Sequence, residues 1–194
     1  MNTESTKTRL FQAARALFDE EGEAGLSMRR IAAAVGITPM AIYKHYADKD
    51  ALLNALMLDG FVAWEARVAR IAASDPAAWL RALGAAFLDF ALTEPRRYEA
   101  AFLLRASQAR QYPHDFAEGR SPVVRLAREH AQRMRAPDPH APSAGDIVLA
   151  LSALCQGLVG MYRAGRFVSE DEFRAAYVRA VDHCILSYSP EPTP

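Results

Sequence analysis

Two short helical patterns separated by a single glycine occupy residues 27–46, and they restrict the fold of this chain more than any other feature. Helices this short, joined by so few residues, must cross steeply. The turn between them needs a residue at ease with left-handed backbone, which Gly36 supplies. Ala32, Ala33 and Ala34 are small where the helices meet, and Ile31, Val35, Ile37 and Ile42 are the apolar pins. Ser27 opens the first of the two helices. Thr38 followed by Pro39 reads as an N-cap with proline at the first helical position, so a further helix is expected from Thr38 through Tyr46.

The remaining periodic segments also read as helix. Leu10, Ala14, Leu17 and Phe18 recur at helical spacing before Gly22. Asp48 caps a long helix expected to reach about Ala73, with Leu53, Met57, Phe61, Trp64, Val68 and Ile71 in one stripe. Asp75–Pro76, Pro95 and Ser121–Pro122 start three more, with a polar loop at 106–120 that has room for one irregular turn and a proline connector at 136–143. Ile147 to Ala164 is strongly apolar, and Ser169 with Glu172 forms a capping-box pattern that opens a helix to about Tyr188. No alternating apolar–polar run and no Asn-Gly or Asp-Gly hairpin turn stands out. The fold class is therefore all-α, with about nine helices: a three-helix head at residues 1–48 and a helical body at 49–194.

The 194 residues carry 23 basic and 23 acidic side chains, so attraction to a polyanion must come from a local patch. Residues 27–49 hold Arg29, Arg30, Lys44 and Lys49 against the carboxylate of Asp48, and Lys7 and Arg9 precede them. With its apolar pins buried, the helix after Gly36 turns Thr38, Met40, Ala41, Lys44 and His45 outward. This is the anatomy of a helix-turn-helix whose second helix suits the major groove of DNA. Arg29, Arg30, Lys44 and Lys49 are the cations expected on DNA; Ser27 and Thr38 also suit plain capping, and a solvated surface is the other reading of Arg30.

The residues Thr8-Arg9-Leu10, Ala13-Ala14, Leu17-Phe18, Gly22, Ile31-Ala32, Gly36-Ile37, Ile42-Tyr43-Lys44-His45-Tyr46, Lys49 and Leu52-Leu53 hold their order and spacing as in one known group. Over about residues 6–55 the chain resembles the N-terminal domain of the tetracycline repressor family. The resemblance implies a dimeric DNA-binding transcriptional regulator, a repressor acting on a palindromic operator. It implies phosphate contacts from Ser27, Arg29, Tyr43 and Lys49, base contacts from Thr38, Met40 and Ala41, and either kind from Lys44 and His45. Pro39 belongs to the same face. Ala41 stands where glycine or threonine is common, which leaves contact with a thymine methyl as its direct readout.

A repressor needs a second site to be switched. Trp64, Phe102 and Met161 are candidates to line an apolar pocket, and Gln156 to orient a small, largely apolar effector; core packing is the other reading of each aromatic. A ligand wedged there would tilt the helix that starts at Asp48 and release DNA. Gly157 and Gly160 let another helix approach closely, and the resemblance implies a homodimer through helices near 144–164 and 169–188. The alternative is a DNA-binding regulator with no small ligand, controlled by a protein partner. No GxSxG, HExxH or glycine-rich phosphate loop points to an enzyme, and no cofactor or metal is expected. The polar start and the lack of 18 consecutive apolar residues lead to the expectation of a cytoplasmic protein without a membrane partner. Cys155 and Cys184, in apolar surroundings, read as free thiols.

Overall fold

A computed structural model describes residues 4–112, 114–117, 121–135 and 140–189. Among these residues the regular structure is helical throughout. The nine α-helices are α1 (Thr6–Glu21), α2 (Met28–Val35), α3 (Lys49–Val68), α4 (Pro76–Thr93), α5 (Pro95–Phe102), α6 (His114–Ala117), α7 (Pro122–Met134), α8 (Ala144–Arg163) and α9 (Glu170–Leu186). The all-α class and the approximate helix number follow the sequence reading. Residues 136–139, half of the expected connector at 136–143, lie outside the described residues.

The chain divides into two compact units, one of residues 1–64 with 94–109, the other of 65–93 with 110–194. In the first unit, Ser5 caps α1 by accepting from the Thr8 amide at 3.1 Å, and Gly22 ends it. Leu10, Ala14 and Phe18 of α1 are buried with Ile31, Ala32 and Val35 of α2, with Ile42 and Tyr46, and with Leu52, Leu53, Leu56 and Met57 of α3. Ala100, Leu104 and Ala106, from a distant stretch of sequence, complete that core. Gly60 allows α5 its close approach: a Cβ there would stand 2.8 Å from the Arg97 carbonyl oxygen and 3.0 Å from Ala101.

In the second unit, Trp79, Leu80, Phe87 and Phe90 of α4 share a buried interior with Val123, Ala127 and Ala131 of α7. Ile147, Leu151, Cys155 and Val159 of α8 and Phe173, Tyr177, Val181 and Ile185 of α9 are buried as well. The α4–α9 contact is close, because a Cβ on Gly84 would lie 3.0 Å from Val181. There the Tyr177 hydroxyl donates to the Gly84 carbonyl at 2.9 Å. The helix starts follow the caps read from sequence: Asp75 accepts from the Ala78 amide, Ser121 from Val124 and Ser169 from Glu172. Ser143 and Asp146 add a complete capping box, which starts α8 three residues before the expected Ile147.

Two expectations are corrected. The helix expected from Thr38 to Tyr46 is instead a run of tight turns, with a 3-10 segment at Ile42–Lys44. Its amides bond three residues back, Ala41 to Thr38 at 2.9 Å and His45 to Ile42 at 2.9 Å, with a single four-residue bond from Tyr46 to Ile42 at 3.0 Å. Pro39 contributes no N–H, and so short a segment makes too few bonds to favour the wider winding. The long helix capped by Asp48 stops at Val68 rather than near Ala73, where the amides of Arg70 and Ile71 reach back three residues to Arg67 and Val68. Asp75, ahead of Pro76, is disfavoured from helical geometry, so α3 cannot run on into α4.

One further property of α8 went beyond the sequence reading. By length and composition it could cross a membrane, although only a third of the relevant window is buried in this chain. Leu149 and Met161 are among its exposed apolar side chains.

Candidate nucleic-acid interface

The site is built from the turn outward. Gly36 takes φ 76° and ψ 31°, and its amide reaches Ala33 O while the Ile37 amide reaches Ala32 O, both at 3.0 Å. This crossed pair is the Schellman ending of a helix, and it satisfies the last carbonyls of α2 while redirecting the chain. No L side chain holds that φ without strain. Ile42 and Tyr46 are then buried four residues apart, which anchors one side of the segment and turns the other out.

On that outward side stand Thr38, Pro39, Met40, Tyr43 and Lys44, all exposed, with Ala41 and His45 half-buried between them. Met40 is 77% exposed and Tyr43 48%, unusual for large apolar side chains in a small domain and therefore informative. The Thr38 hydroxyl accepts from the Ala41 amide at 3.3 Å, the capping role that sequence allowed. The Ser27 side chain makes no capping bond although Ser27 precedes α2, so its hydroxyl is free to meet an external oxygen. Arg29 lies exposed two residues further on.

The remaining cations are held within the chain. Arg30 donates in a fork to both oxygens of Glu21, at 2.8 and 2.5 Å, and to the Gly25 carbonyl at 3.1 Å. That hydrogen-bonded pairing holds the Glu21 carboxyl below its usual range and raises the Arg30 guanidinium. Arg9 donates to the Val35 carbonyl at 2.8 Å. Lys49 Nζ points at the Glu23 carbonyl at 3.4 Å, and Lys7 lies 5.8 Å above the Tyr46 ring.

Sequence reasoning missed a polar knot in the first unit. Asn54, buried on α3, donates to Asp50 at 2.9 Å and to the Ser107 hydroxyl at 3.1 Å, and accepts from the Gln108 amide at 3.0 Å. Asp50 also accepts from the Ser107 hydroxyl and, at 3.0 Å, from its amide. These bonds hold the Asp50 carboxyl below its ordinary range. A lone Asn inside the apolar run from Leu52 to Met57, four residues after an acid, was the available signal.

Of the candidate effector residues, Trp64 and Phe102 meet edge to face, with ring centroids 6.1 Å apart. Phe61 and Tyr98 each pack on Phe102 at 5.5 Å, so an aromatic cluster stands in the first unit. Gln156 and Met161 belong to α8 of the second unit, where Gln156 is half-buried and Met161 exposed. Cys155 and Cys184 are free thiols. Burial pushes the Cys155 thiol up to about 11, which makes it a poor nucleophile.

Comparison with known proteins adds the following. Residues 10–56 match the family described as bacterial regulatory proteins, tetR family, and residues 80–184 match the tetracyclin repressor-like C-terminal domain. The HTH-type transcriptional regulator UidR of Escherichia coli (strain K12) is 40% identical over 60 residues, 30% of this chain and 31% of that protein. The match thus spans less than a third of the relative's length. Among solved structures, a protein of unknown function from Rhodococcus sp. RHA1 superposes with TM-score 0.75 at 24% identity, covering 97% of this chain and 98% of that one. A TetR variant from Acinetobacter baumannii AYE in complex with minocycline gives TM-score 0.67 at 20% identity, over 95% and 97%. At these identities the structural likeness speaks for the fold alone.

Proposed function

The chain belongs to the tetR family of bacterial regulatory proteins and is a DNA-binding transcriptional regulator, and on that premise we propose that it is a homodimeric repressor released from a palindromic operator by a small, largely apolar ligand. The observation that carries the DNA-facing part is the exposed row Thr38, Met40, Tyr43 and Lys44, anchored from behind by buried Ile42 and Tyr46. Thr38, Pro39, Met40 and Ala41 lead into the major groove, and Tyr43, Lys44, His45 and Lys49 flank them toward phosphates. Ser27 and Arg29, at the amino end of α2, offer a hydroxyl, free amides and a guanidinium to another phosphate.

Dimerisation rests on the outward faces of α8 and α9. Leu149 and Met161 on α8, and Val178 and Leu186 on α9, are 40–56% exposed in the single chain. Gly157 and Gly160 have nothing within 4 Å of a built Cβ, so that face accepts the close approach of another helix. A second copy also supplies the second half-site reader that a two-fold operator requires. The effector reading is supported by the aromatic cluster around Phe102 and by the minocycline complex of the Acinetobacter neighbour. A protein that works on the chromosome acts in the cytoplasm.

The test is selection of duplexes from a random pool by the full chain, followed by binding against salt. A palindrome should emerge, with log affinity falling linearly against log salt. Recovery of no preferred sequence would end the repressor reading. Small aromatic compounds should then raise the melting temperature of the free protein and lower its affinity for the selected duplex. If none does, control lies with a protein partner.

A further inference from the structure

Arg30 belongs by sequence to the cations expected on DNA, but the structure gives it a different partner. Its guanidinium closes a two-toothed fork on Glu21, the last residue of α1, and reaches the Gly25 carbonyl in the 3-10 turn between α1 and α2. Gly25 makes room for this: a Cβ there would fall 2.8 Å from Glu21 Oε2 and closer still to its Cβ. At the other end of α2, Arg9 of α1 donates to the Val35 carbonyl at 2.8 Å. Helix α2 is therefore tied to α1 near both its start and its finish. The angle so fixed determines where Ser27 and Arg29 stand and, through Gly36, where the segment 38–45 points.

We propose that Glu21 and Arg30 form a clamp that orients α2, that Arg30 is a positioning residue rather than a phosphate ligand, and that loss of the acidic partner weakens operator binding. The sign is opposite to that of simple electrostatics. Deleting a carboxylate from a DNA-binding head should strengthen its attraction to phosphate if charge alone acts. Paired with Glu21, Arg30 presents almost no net charge to the duplex, and its planar fork matches the carboxylate in a way that lysine cannot.

This inference rests on the helix-turn-helix reading, and its test begins where that reading has passed, with a palindromic duplex selected by the wild-type full chain. Failure of the selection defeats the reading itself; the clamp is judged on the variants. Glu21→Gln should raise Kd by about fivefold, the scale on which an exposed ion pair acts. Arg30→Ala and Arg30→Lys should do the same. In all three the slope of log affinity against log salt should stay at the wild-type value. The ratio of affinity for the selected duplex over a scrambled one should fall, because base readout is misaligned while phosphate attraction persists. The charge-swapped double variant Glu21→Arg with Arg30→Glu should recover most of the loss. A change that merely loosened the fold would lower the melting temperature without lowering that ratio. The clamp is overturned if Glu21→Gln binds as well as or better than wild type. It is equally overturned if Arg30→Ala flattens the salt slope by about one ion per subunit while the swapped pair stays weak.

Discussion

Each of the two units of this molecule is stabilised internally in its own way. The first is tied across long stretches of chain by directional polar bonds: Arg30 to Glu21, Arg9 to the Val35 carbonyl, Asn54 to Gln108, and Arg96 to the Asp19 carbonyl at 3.1 Å. The second relies on long apolar helix faces, with ties such as Arg81 to Asp182 at 2.9 Å set on top of them. Apolar burial makes helices touch but leaves their angle loosely set, whereas a hydrogen bond fixes direction. A surface that must meet phosphates at set positions needs its angles fixed. A body built on packed helix faces needs mainly buried area.

The contrast can be broken hardest at the body's outward face. Placing Val178→Asp and Leu186→Asp together on α9 should halve the mass measured by light scattering. Operator affinity should fall on the order of a hundredfold, as two linked half-sites become one. A double variant that stays dimeric would place the interface elsewhere. Next in size, Ile42→Ala removes a fully buried pin behind the DNA-facing row and should destabilise the first unit by about 2–5 kcal/mol in denaturant unfolding. In the second unit, Tyr177→Phe deletes one directional tie, the bond to the Gly84 carbonyl, while that carbonyl keeps its place in α4, and should lower stability by about 0.5–1.5 kcal/mol. A loss as large as that of Ile42→Ala would mean that the body depends on direction as much as the head does.

The smallest effect is a separation by pH. His130 stacks on Trp79 at 4.3 Å in the second unit, with Glu129 and Arg133 as charged neighbours, and burial lowers its pKa from 6.5. Its stabilising effect is complete above the unfolded value and is lost as pH falls through the lowered one. Asp50 in the first unit is also lowered, from 3.8, so its effect persists until the pH falls through the carboxylate range. Acid titration followed by Trp79 fluorescence should therefore show the second unit loosening first. His130→Phe should remove the earlier step and leave the later one; its persistence would assign the step to another group.

Much of this was legible because local chemistry writes itself into neighbouring residues. Gly36, the caps at Asp48, Asp75, Ser121 and Ser169, and the pins Ile31, Val35 and Ile42 each signal within a few positions, and each sits as read. The winding of residues 38–46 was not legible, because pins four apart suit an α-helix and a run of tight turns ending in one wider bond equally well. The end of α3 was missed because no glycine or proline lies between Val68 and Asp75. Partnerships at a distance were silent for a different reason. Nothing near Arg30 names Glu21 nine residues earlier, and nothing near Asn54 names Ser107. Trp64 and Phe102 are read together from sequence, but the packing of Phe61 and Tyr98 on Phe102 emerged only when α3 and α5 were placed together.

The discontinuity of the first unit bears on how such regulators can be recombined. Exchanging recognition heads between relatives to change which genes a given body controls invites a single crossover along α3. Any such cut leaves behind Ala100, Leu104 and Ala106, which close the head's core, and Ser107 and Gln108, which satisfy Asn54. The grafted head would meet a foreign segment 94–109, with Gly60 facing a backbone it was not shaped for. The transplantable module is thus two pieces, residues 1–64 and 94–109, and a working hybrid has to carry both.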